Sequence, residues 1–337
     1  MQRREFLQLG LAAALGALGE PGACAATPDV AHLGGRVVLP GQPGYDAARQ
    51  DHNARIVRAP AAVVFCRNAA DIAGAVGWAR RNHVPLRVRC GGHSYEGYSL
   101  VDDGLVIDVS ALNRVHLDAA GQTARVGAGV RLLDLYEALW PHRVTVPGGS
   151  CATVGIAGLT LGGGYGLLAR RFGLTCDHLN AAEMVLADGS VVRADAQNHA
   201  DLLWACRGGG GGSFGIATEF TFRVRPVNTV AVYRLTWGWD DLNAVLNAWQ
   251  SWAPTVDDRL TCLLKLRARS NGTLTSVGQF IGSAAELTAL LGPLRRAGTP
   301  REATVETLGF LDACRRFAGV TPGAAALTER THFKASS

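Results

Sequence analysis

No C-x-x-C pair occurs in this sequence, although it holds eight cysteines. Their wide spacing argues against a zinc site and against a small disulfide-stapled scaffold, and leaves room for one or two disulfides. No run of Lys and Arg interleaved with aromatics is present, and a net charge of +5 over 337 residues is mild, so nucleic-acid binding has little support. There is no internal repeat. The N-terminal apolar run, Leu9 to Leu18, is too short to span a bilayer stably. What abounds is glycine: 42 residues, clustered rather than spread as a low-complexity repeat. Clusters of that kind mark places where backbone comes close to something.

The leader is informative. Gln2-Arg3-Arg4-Glu5-Phe6-Leu7 precedes the apolar run, and small residues follow to Ala23-Cys24-Ala25-Ala26, an A-x-A-like cleavage site. Paired arginines before x-Phe-Leu resemble the twin-arginine export signal, which a receptor reads and which exports folded protein to the periplasm or beyond. An ordinary secretory signal is the alternative. A lipid attachment at Cys24 is weaker, because Pro21-Gly22-Ala23 lacks the apolar residue such a box carries.

Residues 1–25 are therefore set aside as a signal peptide, and 26–52 read as an N-terminal segment with little regular structure. From 53 to 228 short strands and helices alternate. Ala62–Cys66, Pro85–Arg89, Leu105–Val109 and Thr123–Val126 read as strands, and Asn68–Asn82 and Val130–Leu139 as helices, the first capped by Asn68 or Asp71. Strands at Ala182–Leu186 and Val191–Arg193 flank an Asp188-Gly189 hairpin turn, and Thr218–Val224 alternates as a further strand. From 229 the texture changes to longer strands (Val230–Thr236, Cys262–Arg267, Leu274–Phe280) with amphipathic helices at Asp240–Trp252 and Ala284–Arg296. That pattern predicts a second, α+β unit with an antiparallel sheet.

Three glycine clusters carry candidate chemistry. Gly127-Ala-Gly129 sits where a dinucleotide fingerprint would, but Leu132 takes the third glycine position and no acidic residue ends a strand about twenty positions on; a tight turn is the better reading. Arg89-Cys90-Gly91-Gly92-His93-Ser94-Tyr95 follows a strand, so its glycines can bring main-chain N–H groups to a pyrophosphate with His93 alongside. Alone, His93 would pass for a solvated loop histidine. Pro147 to Gly166 holds eight glycines in twenty residues, suited to a flat ligand pressed on the main chain, with Cys151 inside that surface. Alone, Cys151 would pass for a small buried hydrophobe.

Taken together, Asn53-x-Arg55, Arg89-x-Gly-Gly-His-Ser-Tyr95 with Ser99, Gly149-x-Cys151-x-x-Val-Gly155, Leu161-Gly-Gly-Gly-x-Gly166 and Gly212-x-Phe-Gly-Ile216 resemble the FAD-binding domain of the p-cresol methylhydroxylase / vanillyl-alcohol oxidase (PCMH-type) superfamily, nearest its berberine-bridge-enzyme-like and oligosaccharide-oxidase branch. The resemblance implies an α+β fold: a two-subdomain FAD-binding domain over 53–228 and, over 229–337, an incomplete substrate domain with an antiparallel sheet flanked by helices. It implies FAD attached through His93 at the 8α-methyl and through Cys151 at C6. It makes Arg89, Cys90, Gly91, Gly92, Ser94, Ser99, Gly149, Val154, Gly155, Gly158, Gly162, Gly163, Gly164, Gly166, Gly215 and Ile216 cofactor-contacting. Tyr95 becomes a candidate on the substrate side and Val154 the gate for dioxygen.

The implied reaction is oxidation of an alcohol or sugar hydroxyl with dioxygen reduced to hydrogen peroxide. A flavin dehydrogenase using a quinone or protein acceptor, and a non-catalytic flavoprotein, are the alternatives. Residues 284–330 read as helices and loops, and His332–Ser337 resembles the start of a further strand. The expectation is therefore a truncated chain whose half-built sheet leaves an unpaired edge and an uncovered apolar face.

Overall fold

The computed structural model describes residues 29–268 and 272–320, and from Leu33 onward they belong to one compact unit. The leader with Arg3, Arg4 and Cys24, and the strand expected at His332–Ser337, lie outside the described residues. No helix among the described residues is long and apolar enough to cross a membrane.

The N-terminal segment is more regular than its composition suggests. β1 (Arg36–Val38) pairs antiparallel with β2 (Ala62–Phe65), and a one-turn helix, α1 (Tyr45–Ala48), lies between them. Val38 and Ala48 anchor a small core with Val63, Leu100 and Val106, which the scattered Gly and Pro of this segment conceal. From β2 the chain runs through α2 (Ala69–Arg81) to β3 (Leu86–Arg89) and then β4 (Leu105–Asp108). Of the two proposed caps Asn68 serves: its side-chain oxygen accepts from the Asp71 N–H at 2.8 Å. The sheet order is β1-β2-β4-β3, with β4 parallel to both neighbours. All four β4 residues are buried, as a strand covered on both faces requires.

A second sheet follows. β5 (Val115–Leu117) and β6 (Thr123–Gly127) lead into α3 (Leu132–Leu139) and the short β7 (Val144–Thr145). Then come α4 (Ile156–Leu161), α5 (Ala169–Phe172), β8 (Leu179–Val185), β9 (Val191–Ala194), α6 (Ala200–Cys206), β10 (Ile216–Arg223) and β11 (Arg225–Pro226). The order is β5-β6-β10-β8-β9, all antiparallel. The β8–β9 hairpin turns at Asp188-Gly189, where Asp188 Oδ1 accepts from the Ser190 N–H at 2.8 Å. At the Gly127-Ala-Gly129 turn, a side chain at either glycine would run into the backbone of residues 109–112. Close backbone packing accounts for both, as a tight turn should.

The third sheet starts at β12 (Thr229–Trp237), followed by α7 (Leu242–Trp252), β13 (Leu260–Leu266), β14 (Leu274–Phe280), α8 (Ala284–Leu290), α9 (Gly292–Arg296), β15 (Glu302–Gly309) and α10 (Phe310–Ala318). Three expectations need correcting here, the last being the uncovered apolar face. Residues 284–330 are not all helix and loop: β15 pairs with β12 over eight residues, giving the antiparallel order β13-β14-β12-β15. Nor is the helix expected at Ala284–Arg296 continuous; it breaks at Leu291, and Pro293, which has no N–H to continue the first ladder, sits in the opening turn of the second helix. The sheet's apolar face is covered: Tyr233, Leu235, Trp237, Leu260, Leu274 and Phe280 pack on Val245, Trp252, Leu287, Leu291 and Leu294 of the helices. Burying each such side chain stabilises the fold by about 1.5–3 kcal/mol. The exposed edges are β13 and β15.

Beneath the first glycine loop lies a fully buried ion pair. Arg89 closes β3 and Asp108 closes β4, and as register partners they meet at 2.6 Å between Nε and Oδ2. Arg89 Nη1 also donates to the Gln50 carbonyl at 3.3 Å, tying the N-terminal segment to the sheet. Removing one partner of such a pair leaves a buried charge, whereas replacing both with apolar groups is often neutral. Arg89→Met is therefore expected to cost about 3–5 kcal/mol in chemical denaturation. Arg89→Met combined with Asp108→Leu should recover most of that loss. Equal destabilisation in the single and double variants would show that the charge pairing is not what matters.

Candidate flavin site

Three loops build the site. The first leaves β3 at Cys90 and carries Gly91, Gly92 and His93. The second, residues 146–155, docks on the start of α3: the Leu132 N–H donates to the Val154 carbonyl at 3.0 Å and the Leu133 N–H to the Ala152 carbonyl at 3.1 Å. The two loops meet at Gly91 and Gly155, where a Cβ on either would collide with the other's backbone. Only glycine permits that approach. The third loop, Gly208–Gly212, is held to the end of α4 by the Gly210 N–H donating to the Leu161 carbonyl at 2.8 Å.

That docking brings the two proposed attachment residues into one neighbourhood. His93 Nε2 lies 2.9 Å from Thr153 Oγ1, two residues beyond Cys151. Cys151 is exposed. Cys90 is its opposite. The Cys90 thiol donates to the Ala128 carbonyl at 3.0 Å, and burial pushes it up to about 12. A thiol so raised stays protonated and is a poor nucleophile, so only the main chain of Cys90 is available to a cofactor. Arg89 also differs from the expectation, since its side chain is buried in the ion pair below the loop rather than turned to the site.

The remaining expected residues fall into groups. Ser94 Oγ accepts from the Tyr98 N–H at 3.0 Å and shapes the turn that follows His93. Tyr95 is 76% exposed, while its carbonyl accepts from Asn53 Nδ2 at 2.8 Å. Ser99 and Val154 are half-buried. Gly149 offers its carbonyl to the Tyr136 hydroxyl at 2.6 Å, and Tyr136 is buried enough that its phenol stays protonated. Gly164 and Gly166 are glycine because Thr175 and the Gly148 backbone crowd them. Gly163 lies beside Leu174, Gly162 ends α4, and Gly215 and Ile216 open β10 against Val185.

The eight glycines of 147–166 thus do not share one purpose. Gly148, Gly149, Gly155, Gly164 and Gly166 answer to neighbouring protein atoms. Gly158 does not. It sits exposed inside α4, with nothing within 4 Å of a Cβ built on it. A helical glycine costs about 1 kcal/mol relative to alanine, and no packing offsets that cost here. Gly211 is similarly open, without the positive φ that explains Gly208, Gly210 and Gly212. Among the described residues the other open helical glycine is Gly74, in α2 and not in any of the three loops. Gly158 and Gly211 flank the Gly210–Leu161 junction, and among the described residues nothing packs on either. A flat cofactor lying across bare backbone fits there. A cavity of about 20 Å³ borders Gly148, Gly149 and Ser150, and one of about 180 Å³ lies in the N-terminal segment around Asp51 and Ile56, both below the roughly 300 Å³ of an ordinary enclosed ligand pocket. Gly158 and Gly211 line neither and are both exposed, so the surface there is an open face.

Sequence reasoning missed two residues. His52 stacks on His93, ring centroids 4.1 Å apart and planes 20° from parallel, and the His52 N–H donates to the Gly92 carbonyl at 2.8 Å. Thr153 is the other. Adjacency to Asn53-x-Arg55 and to Cys151 was the available signal, but the contacts are tertiary.

The two kinds of glycine are separable by experiment. Gly158→Ala should leave thermal stability unchanged or raise it by about 0.5–1 kcal/mol, while weakening reversible FAD binding severalfold in a chain that also carries His93→Ala and Cys151→Ala. Gly155→Ala should lower stability and FAD binding together. Unchanged FAD binding in Gly158→Ala would remove that position from the cofactor face.

Comparison with known proteins identifies the family. Residues 60–195 match the FAD binding domain family. The chain is 44% identical over 289 residues to YgaK of Bacillus subtilis (strain 168), an uncharacterized FAD-linked oxidoreductase, covering 85% of this chain and 64% of that one. It is 35% identical to glucooligosaccharide oxidase of Sarocladium strictum, covering 76% and 52%. A solved variant of BBE-like 1 from Physcomitrella patens superposes with a TM-score of 0.84 at 35% identity, covering 90% of this chain and 67% of that one. The chain spans a little under two thirds of the length of YgaK. It belongs to the berberine-bridge-enzyme-like family of FAD-linked oxidoreductases, with the PCMH-type FAD-binding fold.

Proposed function

We propose that this chain is the flavin-holding part of an oxidase that acts on an alcohol or sugar hydroxyl, with FAD attached to both His93 and Cys151. The observation that carries this reading is the docking of the two loops, which sets His93 against Thr153 and leaves Cys151 exposed nearby. Imidazole and thiolate are the strong nucleophiles among side chains, and two attachments can hold a ring on an open face that does not enclose it. Held through His93 and Cys151, FAD would supply the hydride-accepting chemistry, with dioxygen as the final acceptor reduced to hydrogen peroxide.

The protein's own part is placement. The exposed Tyr95 ring stands one residue past Ser94 on the His93 loop, where it can border a hydroxylated substrate. Val154 is half-buried three residues beyond Cys151. Its short branched side chain leaves room for dioxygen, where a longer one would fill the space. The names of relatives that are oligosaccharide oxidases support a carbohydrate donor. The functional division is into an FAD domain over 53–228 and a substrate domain from 229. Arg3 and Arg4 serve the twin-arginine export machinery and place the mature protein in the periplasm or outside the cell.

Intact-mass measurement after denaturation tests the attachment. The wild type should retain one FAD, the His93→Ala and Cys151→Ala variants should each retain FAD through the other residue, and the double variant should retain none. Val154→Leu should slow reoxidation of the reduced enzyme by dioxygen about tenfold, some 1.4 kcal/mol of barrier. Flavin that washes out of denatured wild type would overturn the covalent reading. Negligible reaction of reduced wild type with dioxygen would favour a dehydrogenase.

A further inference from the structure

The histidine stack is not explained by packing alone. His52 and His93 lie on different segments, and both are partly accessible. Two contacts hold those segments in register on either side of His93: the His52 N–H on the Gly92 carbonyl at 2.8 Å, and Asn53 Nδ2 on the Tyr95 carbonyl at 2.8 Å. The Arg89 contact to the Gln50 carbonyl fixes the same segment from below. Against that frame the His93 ring is bounded on one face by the His52 ring and on one edge by Thr153 Oγ1 at 2.9 Å.

We propose that His52 is a positioning residue for flavin attachment, its ring a flat platform on which the His93 imidazole is held for bond formation, with the Thr153 hydroxyl fixing rotation about that platform. This rests on the reading of His93 as an attachment point. The geometry also decides between a platform and a proton acceptor. Imidazole N–H bonds and lone pairs lie in the ring plane, and hydrogen bonds weaken steeply away from that direction. Rings stacked 20° from parallel therefore present faces to each other and cannot exchange a proton directly. Offset stacking restrains tilt and leaves the in-plane nitrogen direction to be chosen by Thr153.

Attachment forms a carbon–nitrogen bond from the imidazole to the 8α carbon and releases one proton from that carbon and one from the imidazole. Two electrons remain, which dioxygen takes up with two protons as hydrogen peroxide. A nucleophile required to meet a carbon along one direction gains most from being held in place beforehand, and a small misplacement can cost orders of magnitude in rate.

The test uses the full chain carrying Cys151→Ala, so that His93 is the sole attachment, prepared flavin-free. Covalent FAD per chain is followed by intact mass after FAD addition in air-saturated buffer, with melting temperature and reversible FAD binding measured alongside. His52→Ala and His52→Gln should attach FAD at least about tenfold more slowly than the parent. His52→Phe, which keeps a flat ring and no nitrogen, should stay within about threefold. Thr153→Val should be slow and Thr153→Ser restored. Should His52→Ala prove unstable, the comparison of Phe with Gln carries the test. Parental rates in a stable His52→Ala variant, or rescue by Gln and not by Phe, would overturn the platform. Adding His93→Ala should abolish attachment; undiminished attachment there would overturn the reading of His93 itself, and the platform with it.

Discussion

Two backbones touch where Gly91 faces Gly155, and no side chain can stand between them. Most of the site follows from that approach. It fixes the loop after β3 against the loop before α4, and thereby sets His93 beside Thr153 and near Cys151. Each loop is in turn held from behind. Arg89 and Asp108 pin the first from the buried end of the parallel sheet, and main-chain bonds to Leu132 and Leu133 pin the second to α3. The interior does the positioning, while Cys151 is exposed and His93 partly so.

The same division runs through the cysteines and glycines. Cys90, with its thiol under the contact and pushed up to about 12, is chemically quiet; Cys151 is exposed. Gly155, Gly164 and Gly166 are small because protein crowds them, whereas Gly158 and Gly211 face open space. A glycine that packs against nothing and needs no unusual φ is a cost to the folded chain. Its presence at the candidate cofactor face fits a ligand lying there.

Much of this was legible in the sequence where local chemistry decides. The buried parallel strands showed as apolar runs such as Leu105-Val-Ile, and the Asp188-Gly189 turn announced its hairpin. The glycine loops, with His93 and Cys151, identified the family that the fold and the comparisons bear out. What escaped was set by tertiary contact. β15 reads Glu-Ala-Thr-Val-Glu-Thr-Leu-Gly and is an edge strand with most residues exposed, so its apolar alternation is faint and its pairing with β12 supplies the order. β1 hides among Gly and Pro for a similar reason. The purpose of each glycine could not be read from density, because crowding and openness look identical in a sequence. His52 carried no local signal beyond its place before Asn53; its stack on His93 exists only once Gly91 and Gly92 have turned the loop.

The central claim is that the docked loops present an open backbone face on which FAD lies. Amide hydrogen exchange tests it most directly, on the His93→Ala/Cys151→Ala double variant, which should bind FAD reversibly, compared with and without FAD. The expected result is new protection concentrated at residues 91–93, 153–158 and 208–212, with little change in the third sheet. Protection confined to other segments, with those loops exchanging as fast in the presence of FAD as in its absence, would contradict it.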